Sequence, residues 1–549
     1  MKQYIRSPWP FLLYLPLLII AVFIHYECLG DTGNEMKYAF LEMLYLSIYL
    51  IVFAIHQGKN VDQWEVSLIT PRKIVFARLC STFLIAISGV VILACHMAVV
   101  VGPHELQGKL AYSFWLYQYI SWLLPSCFFI LLGFGLGIFL GRNWAYPLGV
   151  FVVVMMSPLV QQSSFSRESM VMLHVKNLLN LIYDDPTRTR FYSFGFSLDQ
   201  AFCWGALFYV ALCLGLFCFD YLIFHHKIEK KKVWFHRVSV GGLFIGGLFC
   251  VICLKNYFTF IPAQINCIYS GIEGVEQLNN KTVDPDLKGI WITEYNMDLQ
   301  IDKELQNDCT FTIHNQSNTT FDQNLPLRLE RCLQIYQLKV NDQTQSFERE
   351  GDFCVFPIKL NAGESVTISL QYGGNIYFVD GLNNPSVFVS NQGALLPELF
   401  AWYPKLQTEK REQWYSLSIQ APNPVISNLT NGTAQQNCEN LVIEGSAPDV
   451  YLISGYFTTL TINKWNVTFP TFYANIDSVV SRLPEKIQTL CAAIEEGGVT
   501  WNLNYDTPLL KEDENALEAI VFAPITYNAN VLYGFDNTFF VTEDILTYE

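Results

Sequence analysis

The titratable residues of the first 255 positions are grouped rather than scattered. In QWEVSLITPRKIVFARL, residues 63–79, Glu65, Arg72, Lys73 and Arg78 stand around Pro71, between two stretches apolar enough to cross a membrane. Carboxylate, guanidinium and ammonium groups in this setting can pair with a protein surface, and the cations alone can meet anionic lipid. None of them is a nucleophile. Val66, Ile69, Ile74 and Leu79 supply an apolar face, so the spacing predicts an amphipathic helix over 60–79. Pro71 lacks an N–H and disfavours the helical region at Thr70, which predicts a kink or restart there. Elsewhere in the apolar runs Glu42, His56, His96 and Asp220 fall near ends, where such groups hydrate or snorkel. No GxxxxGK[ST] loop is present, so this chain does not hold a nucleotide by a P-loop.

The elements that must position these groups are membrane spans. A helix needs about 20 apolar residues to cross the hydrocarbon core. Seven stretches are candidates: 9–29, 39–57, 80–102, 116–140, 145–160, 200–224 and 238–254. The fifth is short. The first has no small-residue cleavage site before the next span, so it reads as a span and not as a signal peptide. Residues 1–255 hold 19 Lys+Arg against 13 Asp+Glu, a balance of +6, and the remainder carries −21 of the chain's −15. The cations fall in Lys2/Arg6, Lys59–Arg78, Arg142 and HHKIEKKKVWFHR (225–237). By the positive-inside rule these face the cytoplasm, which places everything after about Lys255 outside. Between 160 and 199, SMVMLHVKNLLNLIYDD is too polar to span but has helical spacing, as an interfacial or dipping helix would; an ordinary surface helix fits equally.

From about 285 the pattern changes to short alternating runs broken by turn residues: CTFTIHNQSN (309–318), LPLRLERCLQIYQLKVND (325–342) and LNAGESVTISLQYGG (360–374). In the last, Val366, Ile368 and Leu370 alternate with Thr367, Ser369 and Gln371 after an Asn361–Gly363 turn, which predicts antiparallel strands and a β-sandwich. Residues 474–497 read as helical, interrupted at Pro484. The fold class is therefore multidomain. A polytopic α-helical membrane domain (1–254) is followed by a linker (255–284), a mainly-β extracytoplasmic sandwich (285–460) and a short α/β C-terminal extension (461–549). Six cysteines lie in the outer half, Cys267, Cys309, Cys332, Cys354, Cys438 and Cys491; disulfides and buried free thiols are both open. Sequons begin at Asn280, Asn315, Asn318, Asn428, Asn431 and Asn466. There is no basic stripe for nucleic acid.

In its order of elements the membrane half resembles the type-2 ABC transporter permeases. It has a short cytoplasmic N-terminus, spans, a Glu/Pro/basic helix between the second and third, and an amphipathic stretch between the fifth and sixth. The matching positions are Glu65, Thr70, Pro71, Arg72 and Lys73, with Arg78 after them, over roughly residues 1–225. The resemblance implies that this helix docks on a separate cytosolic ABC ATPase subunit that carries ATP-Mg, and that a second permease subunit completes the transporter. A seventh span departs from that six-span pattern.

The outer half resembles the N-terminal sandwich domain of the aminopeptidase N family of zinc peptidases. The likeness rests on CTFTIHNQSN, LKVND, LNAGESVTISLQYGG, WYPKLQTEKREQWYSLSIQAPN (402–423), ISGYF (453–457) and FAPITYNANVLYGFDNTFFVTEDI (522–545). The family's HExxH and Gly-x-Met-Glu-Asn motifs are missing, and His314 is the only histidine after residue 237. Two imidazoles one helical turn apart and a carboxylate are what hold such a zinc ion. The domain is thus expected to be non-catalytic, with no cofactor or metal in this chain and with Trp402 and Tyr403 as core or corner residues. Taken together, the expected protein is an exporter permease in a cell membrane of bacterial type, with the N-terminus cytoplasmic and the outer domain receiving or gating a peptide-like or amphiphilic substrate. A membrane-anchored half of a split aminopeptidase, or a receptor, sensor or adhesion module, are the alternatives.

Overall fold

Long runs of Leu, Ile, Val and Phe without turn residues give helices, and the change to period-two alternation gives strands. A computed structural model describes residues 7–28, 38–59, 71–101, 108–140, 142–157, 175, 178–182, 200–228, 233–260, 266–267, 287–379, 385–398, 400–407, 411–436, 440–462, 465–471, 518–523, 532–535 and 538–542. The chain divides into two compact units, helical to Ile261 and mainly β from Pro262 onward.

The helices defined among the described residues are α1 (Trp9–Cys28), α2 (Phe40–Lys59), α3 (Pro71–Val101), α4 (Gly108–Phe139), α5 (Arg142–Met155), α6 (Gln200–Ile228) and α7 (Val233–Phe260). Six of them are long and apolar enough to cross a membrane; α5, with 14 residues, is not. At 1.5 Å per residue α5 covers about 21 Å against a hydrocarbon thickness of about 30 Å. The seventh helix runs through Lys255 to Phe260, so the first residues of the expected linker are helical.

Contacts along the helices fix their directions. Tyr49 Oη donates to the Trp9 carbonyl at 3.1 Å and Tyr45 Oη to that of Leu12, so α1 runs against α2. Glu42 faces His96, and Arg78 reaches the Gln57 carbonyl, so α3 also runs against α2. Gly133 meets Ile51 and Gly137 meets Ile55, which makes α4 parallel to α2. Lys59 lies on Tyr146 while Ile51 and Ile55 meet Gly149, so α5 is antiparallel to α2. The pairs Tyr117–Phe202, Phe128–Tyr209 and Gly135–Asp220 make α6 parallel to α4. Cys218 against Gly242 and Cys250 bonded to the Phe208 carbonyl turn α7 back on α6. Directions therefore alternate through all seven helices, with α5 included.

The α2–α4 contact is backbone on backbone. A Cβ at Gly137 would stand 2.5 Å from the Ile55 carbonyl oxygen, one at Gly133 2.7 Å from that of Ile51, and one at Gly58 2.6 Å from that of Phe134. Glycine is what allows this approach. Beyond α5 the chain returns: the Ile182 N–H donates to the Met156 carbonyl at 3.0 Å, and Tyr209 of α6 donates to the Leu178 carbonyl. Leu178, Leu181 and Ile182 are buried. The described part of the expected dipping segment therefore packs against helices.

The β unit has three layers. One sheet has the order β15-β13-β2-β3-β9-β5-β6, with β2 (Ile290–Ile301), β3 (Leu305–Asn315), β5 (Gln334–Val340), β6 (Gln343–Thr344), β9 (Ser365–Gly374), β13 (Gln413–Gln420) and β15 (Leu441–Ala447). Its inner residues, among them Cys309, Phe311, Val366, Ile368, Leu370 and Tyr415, share one core with β4 (Phe321–Arg328) and β8 (Phe353–Leu360). That core also takes Val387 and Val389 of β11 (Pro385–Ser390), Leu396 of β12 (Gly393–Leu396) and Leu452 of β16 (Leu452–Ser454). The alternate residues Phe388, Leu395 and Ile453 enter a second core with Val521 of β19 (Ala519–Ala523) and Phe540 of β21 (Thr538–Thr542).

The middle sheet is therefore apolar on both faces, and GALL of β12 is buried at every residue. The third sheet, ordered β17-β18-β19-β21-β20 with β17 (Phe457–Ile462), β18 (Trp465–Pro470) and β20 (Leu532–Phe535), begins ahead of the expected boundary at 461 and pairs β18–β19 and β19–β21 in parallel. The expected helix at 474–497 lies outside the described residues. Turn chemistry follows the sequence: Asn341 and Asp342 hold φ of 48° and 64° between β5 and β6, as a two-residue hairpin requires, and Gly363 holds 74° in the expected turn.

At the end of β4, Arg328 pairs with Glu330 at 2.8 Å, both buried, and Arg331 chelates Asp352 at 2.9 and 3.1 Å. Partial burial opposes ionisation of Asp352, but the Arg331 guanidinium and N–H overcome it and hold its carboxyl below the usual range. A depressed carboxyl stabilises the fold at neutral pH and loses that contribution as pH falls through its folded value. Asp352→Asn should destabilise the unit by about 1 kcal/mol or less at neutral pH, since Arg331 is largely exposed. The difference from wild type should vanish below the carboxylate range, as read by denaturant unfolding at a series of pH values. Gly137→Val in the helical unit should cost at least about 1–3 kcal/mol, seen as a lowered melting temperature of the detergent-solubilised chain.

Candidate functional site

The residues expected to couple to a partner lie at the start of α3. Pro71 is its first residue, a position where the missing N–H is not needed and φ is preset. The sequence allowed a kink or a restart at Pro71; α3 starts there and runs on through residue 79 into the third span, while residues 60–70 of the expected helix lie outside the described residues. Glu65 and Thr70 lie outside the described residues, and of Arg72 and Lys73 only the backbone, in the first turn, is described. At 31 residues α3 is about 46 Å long, more than a bilayer core needs, so its first turns can project beyond the apolar layer.

Arg78 is the one expected residue whose side chain is placed. Its Nη1 donates to the Gln57 carbonyl at 3.0 Å, one of the last-turn carbonyls of α2 that have no partner within the helix. Lys59, at the end of α2, sits 3.9 Å from the centroid of Tyr146 on α5, a cation–π contact. His56 lies 5.4 Å from the Trp9 ring, which also meets Tyr49 and Phe53 edge-on at 5.8 and 5.0 Å. The end of α2 thus gathers the N-terminal turns of α1, α3 and α5 around two cations. Such a junction can transmit a displacement and bind an acidic surface. Sequence reasoning had Arg78 but missed Tyr146, Trp9 and the glycines; GFGLG at 133–137, with small residues at i and i+4, was the signal for close packing.

Two carboxyls expected to hydrate near span ends are instead enclosed. Glu42 is 2 % exposed and its Oε1 lies 2.9 Å from His96 Nδ1. Asp220 is 4 % exposed.

In the β unit, Trp402 and Tyr403 are core residues, as expected. Tyr403 Oη donates to Asp449, which Lys405 also contacts, and Tyr295 stacks on Tyr415 at 5.0 Å while donating to the Pro404 carbonyl at 2.7 Å. This polar chain is made within the core, and only small parts of Lys405 and Asp449 reach the surface among its members. His314 Nδ1 is 2.9 Å from Ser365 Oγ. Among the described residues no three His, Cys, Asp or Glu stand close enough to hold a metal. With HExxH absent from the sequence, these residues do not fit the zinc site of a peptidase.

Cys309, Cys332 and Cys354 are free thiols. Burial, with Glu330 adding to it, pushes Cys332 up to about 12; burial, opposed by Arg349, pushes Cys354 up to about 11, so neither is a thiolate at neutral pH. Cys438 and Cys491 lie outside the described residues. Of the sequons, Asn315 is fully buried and its amide donates to the carbonyls of Thr319, Leu360 and Asn361, and Asn428 donates to that of Asp449. These two serve the fold, while Asn318 is exposed.

No protein-family model matches the chain, and no curated protein matches it. Solved structures similar to part of it include native leukotriene A4 hydrolase from Saccharomyces cerevisiae, at 11 % identity and a TM-score of 0.32 over 48 % of this chain and 42 % of that one. The M1 zinc metallopeptidase from Deinococcus radiodurans matches at 14 % identity and a TM-score of 0.24, over 33 % of this chain and 46 % of that one. A mutant form of the latter matches at 12 % and 0.31, over 47 % and 61 %. The chain spans less than two thirds of the length of each of these proteins.

Proposed function

We propose that this chain is the permease subunit of an ATP-driven exporter of the ABC type, energised by a separate cytosolic ATPase, with its β half on the outer side of the membrane. The observation that carries the reading is the junction at the end of α2, where Arg78 ties the start of α3 to the Gln57 carbonyl. In the proposed orientation this junction faces the cytoplasm. An ATPase that docks on the basic start of α3 displaces Arg78, and with it the end of α2. Because α2 and α4 touch through their backbones at Gly133 and Gly137, the push moves them together and changes the path between spans.

The alternating directions of α1 to α7 support the orientation. With α5 counted as a crossing, an odd number of passes separates the N-terminus from the β half. The return of Leu178–Ile182 to the end of α5 supports the crossing by supplying the apolar packing that so short a helix lacks. The β half, which carries a net charge of about −21, is proposed to bind or gate a peptide-like or amphiphilic substrate without catalysing a reaction. Its acidity favours cationic ligands.

Two measurements test this. A tagged full-length chain should co-purify with a P-loop ATPase, and Arg72→Glu with Lys73→Glu should reduce recovery at least tenfold; a chain that recovers none, or is indifferent to the reversal, overturns the reading. An epitope inserted in the Asn361–Gly363 turn should be reached by antibody on intact cells and one at the N-terminus only after permeabilisation. The opposite pattern, or both on one side, overturns the orientation.

A further inference from the structure

Asp220 sits on α6 where it packs against α4. Both carboxyl oxygens are buried and neither has a hydrogen-bond partner among the described residues. The facing residue on α4 is Gly135, whose missing side chain makes the room: a Cβ there would stand 2.2 Å from Asp220 Oδ1. Within a turn on either side α4 offers only apolar residues and glycine, its nearest titratable group being Cys127 two turns away. From α7, Gly242 packs on Cys218, and the buried Ser239 and exposed Arg237 follow toward its start. On α6 itself the neighbours are Cys218 and Tyr221. Glu42 and His96 belong to the far end of α2 and α3.

An ionised carboxylate held this way would be a bare charge in a low-dielectric site, which disfavours it against the neutral acid. A metal cation is no remedy, because it needs several oxygen ligands and among the described residues no group of three His, Cys, Asp or Glu stands close enough to hold one. A proton needs one oxygen and no cavity. We propose that Asp220 is an intramembrane proton-binding site, carrying its proton while α4 and α6 are packed together. When the two helices part and water reaches the carboxyl, the Oδ–H bond breaks, the electron pair stays on the carboxylate and water takes the proton. Movement of α4 relative to α6 is then linked to binding or release of one proton. The site does not depend on the exporter reading, since it rests only on the burial of Asp220 against α4.

Infrared spectroscopy of the full-length chain in lipid at neutral pH tests this directly. The wild type should show the carbonyl band of a protonated carboxyl, shifted by exchange into D2O if water reaches it, and Asp220→Asn should lose that band. Glu42→Gln should keep it, which separates the two enclosed carboxyls. If Asp220→Asn does not assemble, Gly135→Ala, which crowds Oδ1, should displace the band in frequency. A wild-type spectrum with no protonated-carboxyl band, or a band that survives Asp220→Asn (or, where that variant does not assemble, is unmoved by Gly135→Ala), overturns the proposal.

Discussion

The helical half is organised by one contact, the backbone of α4 lying on the carbonyls of α2. Side chains ordinarily keep helix axes 8–10 Å apart; Gly58, Gly133 and Gly137 remove them where the two helices meet. Once α2 and α4 are parallel and in contact, the connections leave little freedom. The helices before and after α2 must run against it, and α5, which follows α4, must do the same. Three N-terminal turns consequently converge on one C-terminal turn. A helix C-terminus presents unsatisfied carbonyls and partial negative charge, and the cations Arg78 and Lys59 answer both. The basic junction is thus a result of helix direction, and its position follows from glycines on the other side of α2.

The same logic explains what the sequence could and could not disclose. Apolar length alone pointed to six long helices, although α3 and α4 begin nine and eight residues ahead of the expected spans, and charge bias separated the connections at Lys59–Arg78 and 225–237 from the rest. At Pro71 the pattern allowed either a kink or a restart, and α3 begins there, where a proline at a first helical position acts as an initiator. Whether that position is first depends on where the preceding chain leaves the helix, which local pattern does not encode. The burial of Asp220 was equally hidden. A charge four residues from the end of a span usually reaches water, and only the register of α6 on Gly135 encloses it.

In the β half, alternation in β9 predicted both the inward set Val366, Ile368, Leu370 and the turn before it, because one face of that sheet is wet. The middle sheet escaped this reading. Where both faces are dry, as in GALL and in β14 (Val425–Ser427), period two is still present but divides residues between two cores. Val425 serves one core and Ile426 the other. The mainly-β layout is as expected, made of several sheets, and β19 and β21 of the extension cover a sheet that would otherwise expose Phe388, Leu395 and Ile453.

The two enclosed carboxyls bear on how the helical half can move. An absence of carboxylates inside the spans would argue against ion-linked transport, but Glu42 and Asp220 are both inside, and that argument lapses. They are not equivalent. Glu42 faces His96 at 2.9 Å, so a charge on either finds its complement across α2 and α3, and parting these helices would strand it. Asp220 faces a glycine, and parting α4 from α6 removes no bond that it makes. The α2–α3 interface is held by polar contacts at both ends, Glu42–His96 and Arg78–Gln57, and Asp220 gives the α4–α6 interface none. The α4–α6 interface is held instead by ring packing, Tyr117 on Phe202 and Phe128 on Tyr209, so parting it exposes apolar surface and breaks no bond of Asp220.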